Sequence, residues 1–507
     1  MAQFGHLASG AAWSTAGKAL QLALSLLALA VIARIVGPHA YGVFALGWLV
    51  VGLFEVVVSS APTDTLIQRS SISRGHLNAT FWATLLMGLL IAAGIWAGAD
   101  LADHWLEGGA LLGAILPARA AALPLQALAV APTAILLRDS RFKAVAGAET
   151  LASIVSNLAG VALALAGTGI WSLVGMELVR VGVLCVALFA ITRWRPGFAM
   201  RPAHLRDLLA FNASTWGSWG LGYLSSQLPR FVLAASLGAQ AVGFYALAQR
   251  LFDQVKNIVM IPAYQVVQAG VARSQHDVDA ARRLTEGTLR VTGVVACPLF
   301  LGIAALAPVL VPAVFGESWN DAVPVVQIIM LLGVLAAMSV VQAAVIRGMG
   351  KPHWEIVYEF AVLVATAVFL LLSLPWGLDA AAAAVVLGSL VTAPINARFV
   401  RDLTGLSVGV QLGAVFNAGL ASLLMAAGVW LVSLLLAPTM PAPLLLPLLI
   451  VVGAFLYWAF LKWSMPAAAR IIQDVAVALA RRDIGAVRAT LGGLTARAVS
   501  TGVGGMG

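Results

Sequence analysis

The sequence predicts an all-α integral membrane protein of about fourteen transmembrane helices with an internal parallel repeat. Three observations carry that prediction. Hydrophobic residues make up 61% of the 507 residues and charged residues only 10%, against roughly a quarter charged in an ordinary soluble chain. The apolar residues are gathered into stretches long enough to cross a membrane. The connections between those stretches alternate in charge from one end of the chain to the other.

A helix needs about 20 residues to cross the hydrocarbon core. Stretches of that kind fall at 11–36, 41–60, 79–99, 109–136, 148–167, 170–192, 212–236, 241–268, 284–307, 322–346, 354–373, 377–397, 411–436 and 444–463. The even-numbered connections carry cations: Arg69 and Arg74; Arg138, Arg141 and Lys143; Arg193, Arg195, Arg201 and Arg206; Arg273, Arg282 and Arg283; Arg347 and Lys351; Arg398 and Arg401. The C-terminal segment adds Lys462, Arg470, Arg481, Arg482, Arg488 and Arg497. The odd-numbered connections hold acids instead, among them Asp100, Asp103, Glu107, Glu317, Asp321 and Asp379, and only Arg34 approaches that side. Cationic loops resist translocation, so the pattern places both termini in the cytoplasm. It also accounts for the net charge of +9 without nucleic acid, because the cations sit in short loops rather than in a basic patch interleaved with aromatics.

Residues 35–46 read IVGPHAYGVFAL and residues 236–247 read SLGAQAVGFYAL. With an offset of 201 positions, Gly37 matches Gly238, Ala40 matches Ala241, Gly42 matches Gly243, and Ala45-Leu46 match Ala246-Leu247. Each copy joins one apolar stretch to the next, first to second and seventh to eighth. Both halves therefore enter the membrane in the same direction, a parallel repeat about an axis along the membrane normal.

Charge at the bilayer centre costs roughly 2.5–3.5 kcal/mol per residue even on insertion scales. The stretches nevertheless contain Lys18, Glu55, Arg119, Glu177, Arg180, Arg230, Arg250, Asp253, Lys256, Glu286 and Arg290. Spacings of three or four allow local pairs Glu177–Arg180, Arg250–Asp253, Asp253–Lys256 and Glu286–Arg290. Arg119, Arg230 and one cation of the Arg250/Asp253/Lys256 trio are left without a local partner, and such a cation needs water or an anion. The seventh stretch presents Trp216, Trp219, Tyr223, Gln227 and Arg230 on one helical stripe; the eighth presents Tyr245, Gln249, Asp253 and Lys256. Aromatic faces beside hydrogen-bonding groups suit sugar rings, while interfacial anchoring explains Trp216 equally well. Pro229 and Pro262 interrupt helical ladders and are read as hinges or static kinks.

Catalytic signals are weak. Asp100, Asp103 and His104 form a short polar turn that reads as a solvated cap. No phosphate-binding Gly-rich loop followed by Lys-Ser/Thr is present. Cys185 and Cys297 lie inside apolar stretches as packing residues, and no cofactor or metal is expected. Residues 466–507 are more polar; Ile471, Ile472, Val475 and Leu479 could share one face of a surface helix, with a loosely ordered tail as the alternative.

The segments AAWSTAGKALQLALSLLALAVIARIVGPHAYGVFAL, LIQRSSISRGHLNATFWATLLMGLL, GFYALAQRLFDQVKNIVMIPAYQVVQAGVARSQHD and LVPAVFGESWNDAVPVVQIIMLLGVLAAMSVVQAAVIRGMGKPHW resemble the polysaccharide transporter (oligosaccharide flippase) family of the multidrug/oligosaccharidyl-lipid/polysaccharide exporter superfamily. The resemblance covers roughly residues 10–465. It implies two six-helix lobes related by the repeat, plus two extra helices: an N-terminal lobe at 1–202, a C-terminal lobe at 203–404, the extra pair at 405–465 and a basic cytoplasmic tail at 466–507. It implies a central cationic cavity and the alternating-access flipping of undecaprenyl-diphosphate-linked oligosaccharides in the bacterial inner membrane, for O-antigen, capsule or exopolysaccharide assembly. On that reading the candidates for the diphosphate are Arg230, Arg250, Lys256, Arg34 and Lys18. Those for the sugars are Trp219, Tyr223, Gln227 and Gln249, and those for ion coupling are Asp253 and Glu55, although a plain ion pair competes for Asp253. Expected partners are the lipid-linked substrate, membrane lipids, and a polysaccharide polymerase with its assembly proteins. A drug exporter of the same superfamily would call for an acidic or apolar cavity. A membrane polymerase or glycosyltransferase would call for larger outer loops, and a scaffold would leave the buried charges unexplained.

Overall fold

The computed structural model describes residues 2–69, 72–99, 110–198, 202–466 and Gln473, with backbone alone for 2–20, 110, 202–219 and 221. The side chains of Lys18, Trp216 and Trp219, the turn containing Asp100, Asp103 and His104, and the tail face at Ile471, Ile472, Val475 and Leu479 lie outside the described residues.

All regular structure among the described residues is helical. In chain order it consists of α1 (Ala2–Glu55), a π-helical turn (Val56–Ser60), α2 (Ala61–Gln68), α3 (Arg74–Ala97), α4 (Ala110–Ala120), α5 (Ala122–Arg138), α6 (Phe142–Leu165), α7 (Trp171–Thr192), α8 (Pro202–Arg273), α9 (Val278–Phe315), α10 (Ala322–Gly348), α11 (Pro352–Ser373), α12 (Gly377–Thr404), α13 (Val408–Leu436) and α14 (Ala442–Ser464). Among the described residues, eleven continuous segments are long and apolar enough to cross a membrane. Three of them, Gln21–Gln68, Gly222–Arg273 and Pro352–Thr404, run to 48, 52 and 53 residues. At 1.5 Å per residue each is more than twice the roughly 30 Å core, so each holds two crossings and the total is fourteen.

The break inside each long segment is a glycine. Gly37 has φ 76° and ψ 168° inside α1, and Gly238 has φ 77° and ψ −178° inside α8. That region is open essentially to glycine alone. The two repeat copies thus share one backbone corner, and the offset of 201 read from the sequence is structural as well as textual. The seventh and eighth crossings are the halves of α8 on either side of Gly238.

By packing, the chain forms two compact units, residues 1–243 and 244–507, with the boundary inside α8. In the first unit, Ala28, Ile32, Ala164 and Leu173 form one core cluster, and Ala129, Leu136, Val145, Ala148 and Leu188 form another. The guanidinium of Arg138 donates to the carbonyls of Leu66 (3.0 Å), Ile67 (3.1 Å) and Arg69 (2.5 Å). A cation thereby closes the C-terminal end of α2, where carbonyls lack helical partners. Ser73 caps α3 by accepting from the backbone N–H of His76, and Asp277 caps α9 through Ala280. In the second unit α9 is the hub. Its Ala305 and Leu306 pack with Ala421, Met425 and Val429 of α13 and with Leu445, Leu449 and Leu461 of α14. The Tyr457 hydroxyl donates to the Val294 carbonyl at 2.7 Å, so the extra helix pair is bonded to α9 as well as packed on it.

Candidate functional site

The buried polar residues of the first unit converge around the second half of α1. Arg119, at the end of α4, is 1% exposed and its Nη2 lies 2.8 Å from Oε2 of Glu177 on α7. Its guanidinium sits 4.1 Å from the centroid of the Phe44 ring and 5.2 Å from that of Trp48, and Nη1 donates to the Phe44 carbonyl at 3.2 Å. The i,i+3 pair expected between Glu177 and Arg180 is therefore not the one formed: Glu177 reaches across to the α4 cation that had no local partner. A fully desolvated guanidinium needs its carboxylate more than a half-buried one does, and Arg180 retains partial access to solvent. Arg180 acts instead on Glu55, whose other charged neighbours are Glu177 and Arg119.

Glu55 is the last residue before the π-helical turn Val56–Ser60. Such turns loosen the helical ladder and recur at functional positions. Here the Ser59 hydroxyl bonds back to the Glu55 carbonyl at 2.9 Å. Gln126 of α5 is 7% exposed, and neither its amide nitrogen nor its amide oxygen has a well-aligned hydrogen bond, although Glu55 lies beside it.

From α8, Tyr223 donates its hydroxyl to the carbonyls of Trp48 (2.9 Å) and Leu49 (3.2 Å). Its ring face and the lone pairs of its hydroxyl oxygen are left for other partners. Two turns on, Arg230 donates to Oε1 of Gln227 at 2.7 Å. No ion pair within 4 Å engages Arg230 among the described residues. Arg34 is exposed on the first half of α1.

In the second unit Arg250 is exposed, and Gln249, Asp253 and Lys256 are half-buried. Among the described residues Asp253 forms no ion pair with either Arg250 or Lys256, although the spacing of three would allow both. The counter-charge for Lys256 comes from α11. Glu359 is within electrostatic reach of Lys256, Arg347 and Glu355. Glu355, one turn before it, is paired with Arg347. Sequence reasoning missed this acidic pair, and its signal was two glutamates four apart in an otherwise apolar stretch. The local pair Glu286–Arg290 does form, at 2.5 Å, and its side chains are 27% and 57% exposed. No group of three or more His, Cys, Asp or Glu side chains placed to hold a metal occurs among the described residues.

Among the described residues, charged side chains thus lie on long apolar helices, and comparisons with known proteins place that architecture. A family model described as "Polysaccharide biosynthesis protein" matches residues 31–324. The chain belongs to that family. It is 26% identical over 406 residues to the lipopolysaccharide biosynthesis protein WzxC of Escherichia coli K12, covering 76% of this chain and 78% of that protein. It is 26% identical over 329 residues to the succinoglycan biosynthesis transport protein ExoT of Rhizobium meliloti, covering 64% of this chain and 66% of that one. Among solved structures, the lipid II flippase MurJ in an inward closed conformation superposes with a TM-score of 0.72 at 12% identity, over 88% of this chain and 97% of MurJ. An inward-facing multidrug resistance MATE transporter of the MOP superfamily gives 0.61 at 15% identity, over 76% of this chain and 94% of that one. At such identities the likeness is one of fold, and it is the all-helical, roughly fourteen-crossing, two-lobed architecture expected from the sequence. The resemblance read from the sequence motifs and the family match coincide. The protein is a multi-pass membrane transporter rather than an enzyme.

Proposed function

We propose that this protein flips undecaprenyl-diphosphate-linked oligosaccharide repeat units from the inner to the outer leaflet of the bacterial inner membrane by alternating access, supplying O-antigen, capsule or exopolysaccharide assembly. The observation that carries the reading is the set of cations on α8. Arg230 and Arg250 have no carboxylate within ion-pair distance among the described residues, and Lys256 has only the electrostatic company of Glu359. Cations kept at bilayer depth without a bonded counter-ion suit a diphosphate, whose oxygens accept charge-assisted hydrogen bonds. Arg34 and Lys18 of α1 are further candidates for the same head group. Tyr223, Gln227, Gln249 and Trp219 are the candidates for the sugars, with Tyr223 offering its ring face. Asp253, which forms no ion pair among the described residues, and Glu55, at its π turn, are the carboxylates available for ion coupling. The names of the relatives, which concern lipopolysaccharide and succinoglycan, support a polysaccharide precursor as cargo. Basic connections on one side support a topology with both termini in the cytoplasm, and a polysaccharide polymerase with its assembly proteins is the natural neighbour of such a transporter. A drug exporter of the same fold would need acidic or apolar groups where this chain places arginines and lysine.

The test is reconstitution in vesicles with a labelled lipid-diphosphate oligosaccharide and an imposed ion gradient. Arg250→Ala and Lys256→Ala should each lower translocation while leaving the folded protein intact. Undiminished flux in the double substitution would remove the anion site from α8.

A further inference from the structure

The second half of α1 meets the α8 segment of the first unit along a seam of close glycine contacts. Gly42 packs so closely on the backbone of Ala239 that a Cβ there would collide with the Ala239 carbonyl, and a Cβ at Gly243 would collide with the carbonyl of Pro38. Under the offset of 201, Gly42 maps to Gly243 and Pro38 to Ala239, so the two crossings are images of one another. Ten residues further along α1, at Gly52, a Cβ would meet the Tyr223 hydroxyl at 2.5 Å and Cζ at 3.0 Å. Beside it the same hydroxyl bonds the Trp48 and Leu49 carbonyls. Ten residues of helix span about 15 Å, half of the roughly 30 Å hydrocarbon core. Measured from the Gly37/Gly238 corners the seam runs fifteen residues, about 22 Å, and so reaches past the middle of the bilayer. The corners lie in the first and seventh connections, the acidic, non-cytoplasmic set.

We propose that this seam is the extracytoplasmic closure of the transporter and that the Tyr223 hydroxyl is its latch. The chemistry suits a contact that must open and reseal. Backbone-to-backbone packing through glycine gives close fit without ion pairs, so separating the two surfaces leaves no buried charge uncompensated. Its polar tie at Tyr223 is a neutral hydrogen bond whose acceptors, Trp48 and Leu49, are carbonyls already within a helix. Water can replace the tyrosine on one side of the seam and solvate the freed hydroxyl on the other. Tyr223 is thus a positioning residue, acting through α1 on access to the site.

The inference rests on the transporter reading, but its test needs no substrate, so the two can fail separately. Leu49 is fully buried and its carbonyl lies under the latch. Leu49→Cys, in the full-length chain with Cys185→Ala and Cys297→Ala, reports opening through labelling by a membrane-impermeant maleimide from the extracytoplasmic side. Adding Tyr223→Phe removes one neutral hydrogen bond, so labelling should quicken by roughly 2- to 10-fold. Gly42→Ala or Gly243→Ala should quicken it further, because the closed contact cannot hold a Cβ. Tyr223→Phe keeps the ring, so a tyrosine that only stacks on sugar predicts an unchanged labelling rate. That outcome, in protein eluting as a single folded species, overturns the proposal even where the glycine variants do not fold.

Discussion

Removing the carboxylate of Glu177 should damage the fold more than removing both it and its partner. The ion pair with Arg119 is buried at 1% and 6% exposure, with 2.8 Å between Nη2 and Oε2. Glu177→Leu leaves a guanidinium out of water without its bonded counter-ion, a defect worth about 3–5 kcal/mol. The Phe44 and Trp48 rings over the guanidinium offset part of this, about 2 kcal/mol at most for a desolvated cation, and the Phe44 carbonyl keeps its hydrogen bond. The expected net loss is therefore between about 1 and 5 kcal/mol. Arg119→Met alone strands the carboxylate and should cost at least as much, since no ring compensates an anion there. Arg119→Met with Glu177→Leu removes both charges and keeps most of the volume, so it should recover most of the loss, as charge-free replacements of buried pairs commonly do. The assay is denaturant unfolding of the purified protein in mixed micelles, read as a double-mutant cycle with a coupling energy of at least about 2 kcal/mol. A double variant that loses the sum of the two single losses would show that the charges do not depend on each other.

Two further outcomes follow from backbone geometry and buried amides. Gly37→Ala and Gly238→Ala should each cost about 1–3 kcal/mol through backbone strain; at Gly37 nothing lies within 4 Å of the added carbon, so a loss there that disappears with D-alanine at the same position would assign it to φ alone. Gln411 is fully buried, donates to the Ala397 and Leu406 carbonyls at 2.9 and 2.8 Å, and accepts from Gln342 at 2.9 Å. Gln411→Leu should lower stability by about 1–3 kcal/mol through the stranded groups, visible as faster hydrogen exchange at the start of α13, and unchanged exchange there would refute the tether.

The crossings were legible because hydropathy and helical rise are local properties. Gly37 and Gly238 could be paired from text alone, since a corner that only glycine can occupy leaves a mark at a fixed offset. The partners of the buried charges were not legible. Spacing put Glu177 beside Arg180, and both do share a helix face, but spacing carries no information about desolvation. Arg119 is the more deeply buried cation, and it takes the carboxylate from another helix. Lys256 and Glu359 are separated by about a hundred positions, and only the packing of α8 with α11 brings them into electrostatic reach. The hydroxyl bonds of Tyr223 were equally invisible, because their acceptors are backbone carbonyls, which every residue has.

The repeat also bears on whether the charges of α8 are structural. The offset that carries Gly37 to Gly238 carries Trp48, Leu49, Gly52 and Glu55 to Gln249, Arg250, Asp253 and Lys256. In the first copy that face is aromatic, aliphatic and glycine, closed against the Tyr223 hydroxyl, with one acid at its far end. In the second copy the equivalent positions hold a glutamine, two cations and an acid, and Asp253 pairs with neither cation. A helix in the same topological position therefore folds and packs with three neutral residues where its counterpart carries Gln249, Arg250 and Asp253. The fold does not require charge at those places, which costs a membrane helix several kcal/mol to hold. The corner glycines, which the fold does require, are the residues the two copies kept. Retention of geometry alongside divergence of charge supports the proposal that Arg250 serves a ligand rather than packing; at Lys256 the first copy also carries a charge, Glu55.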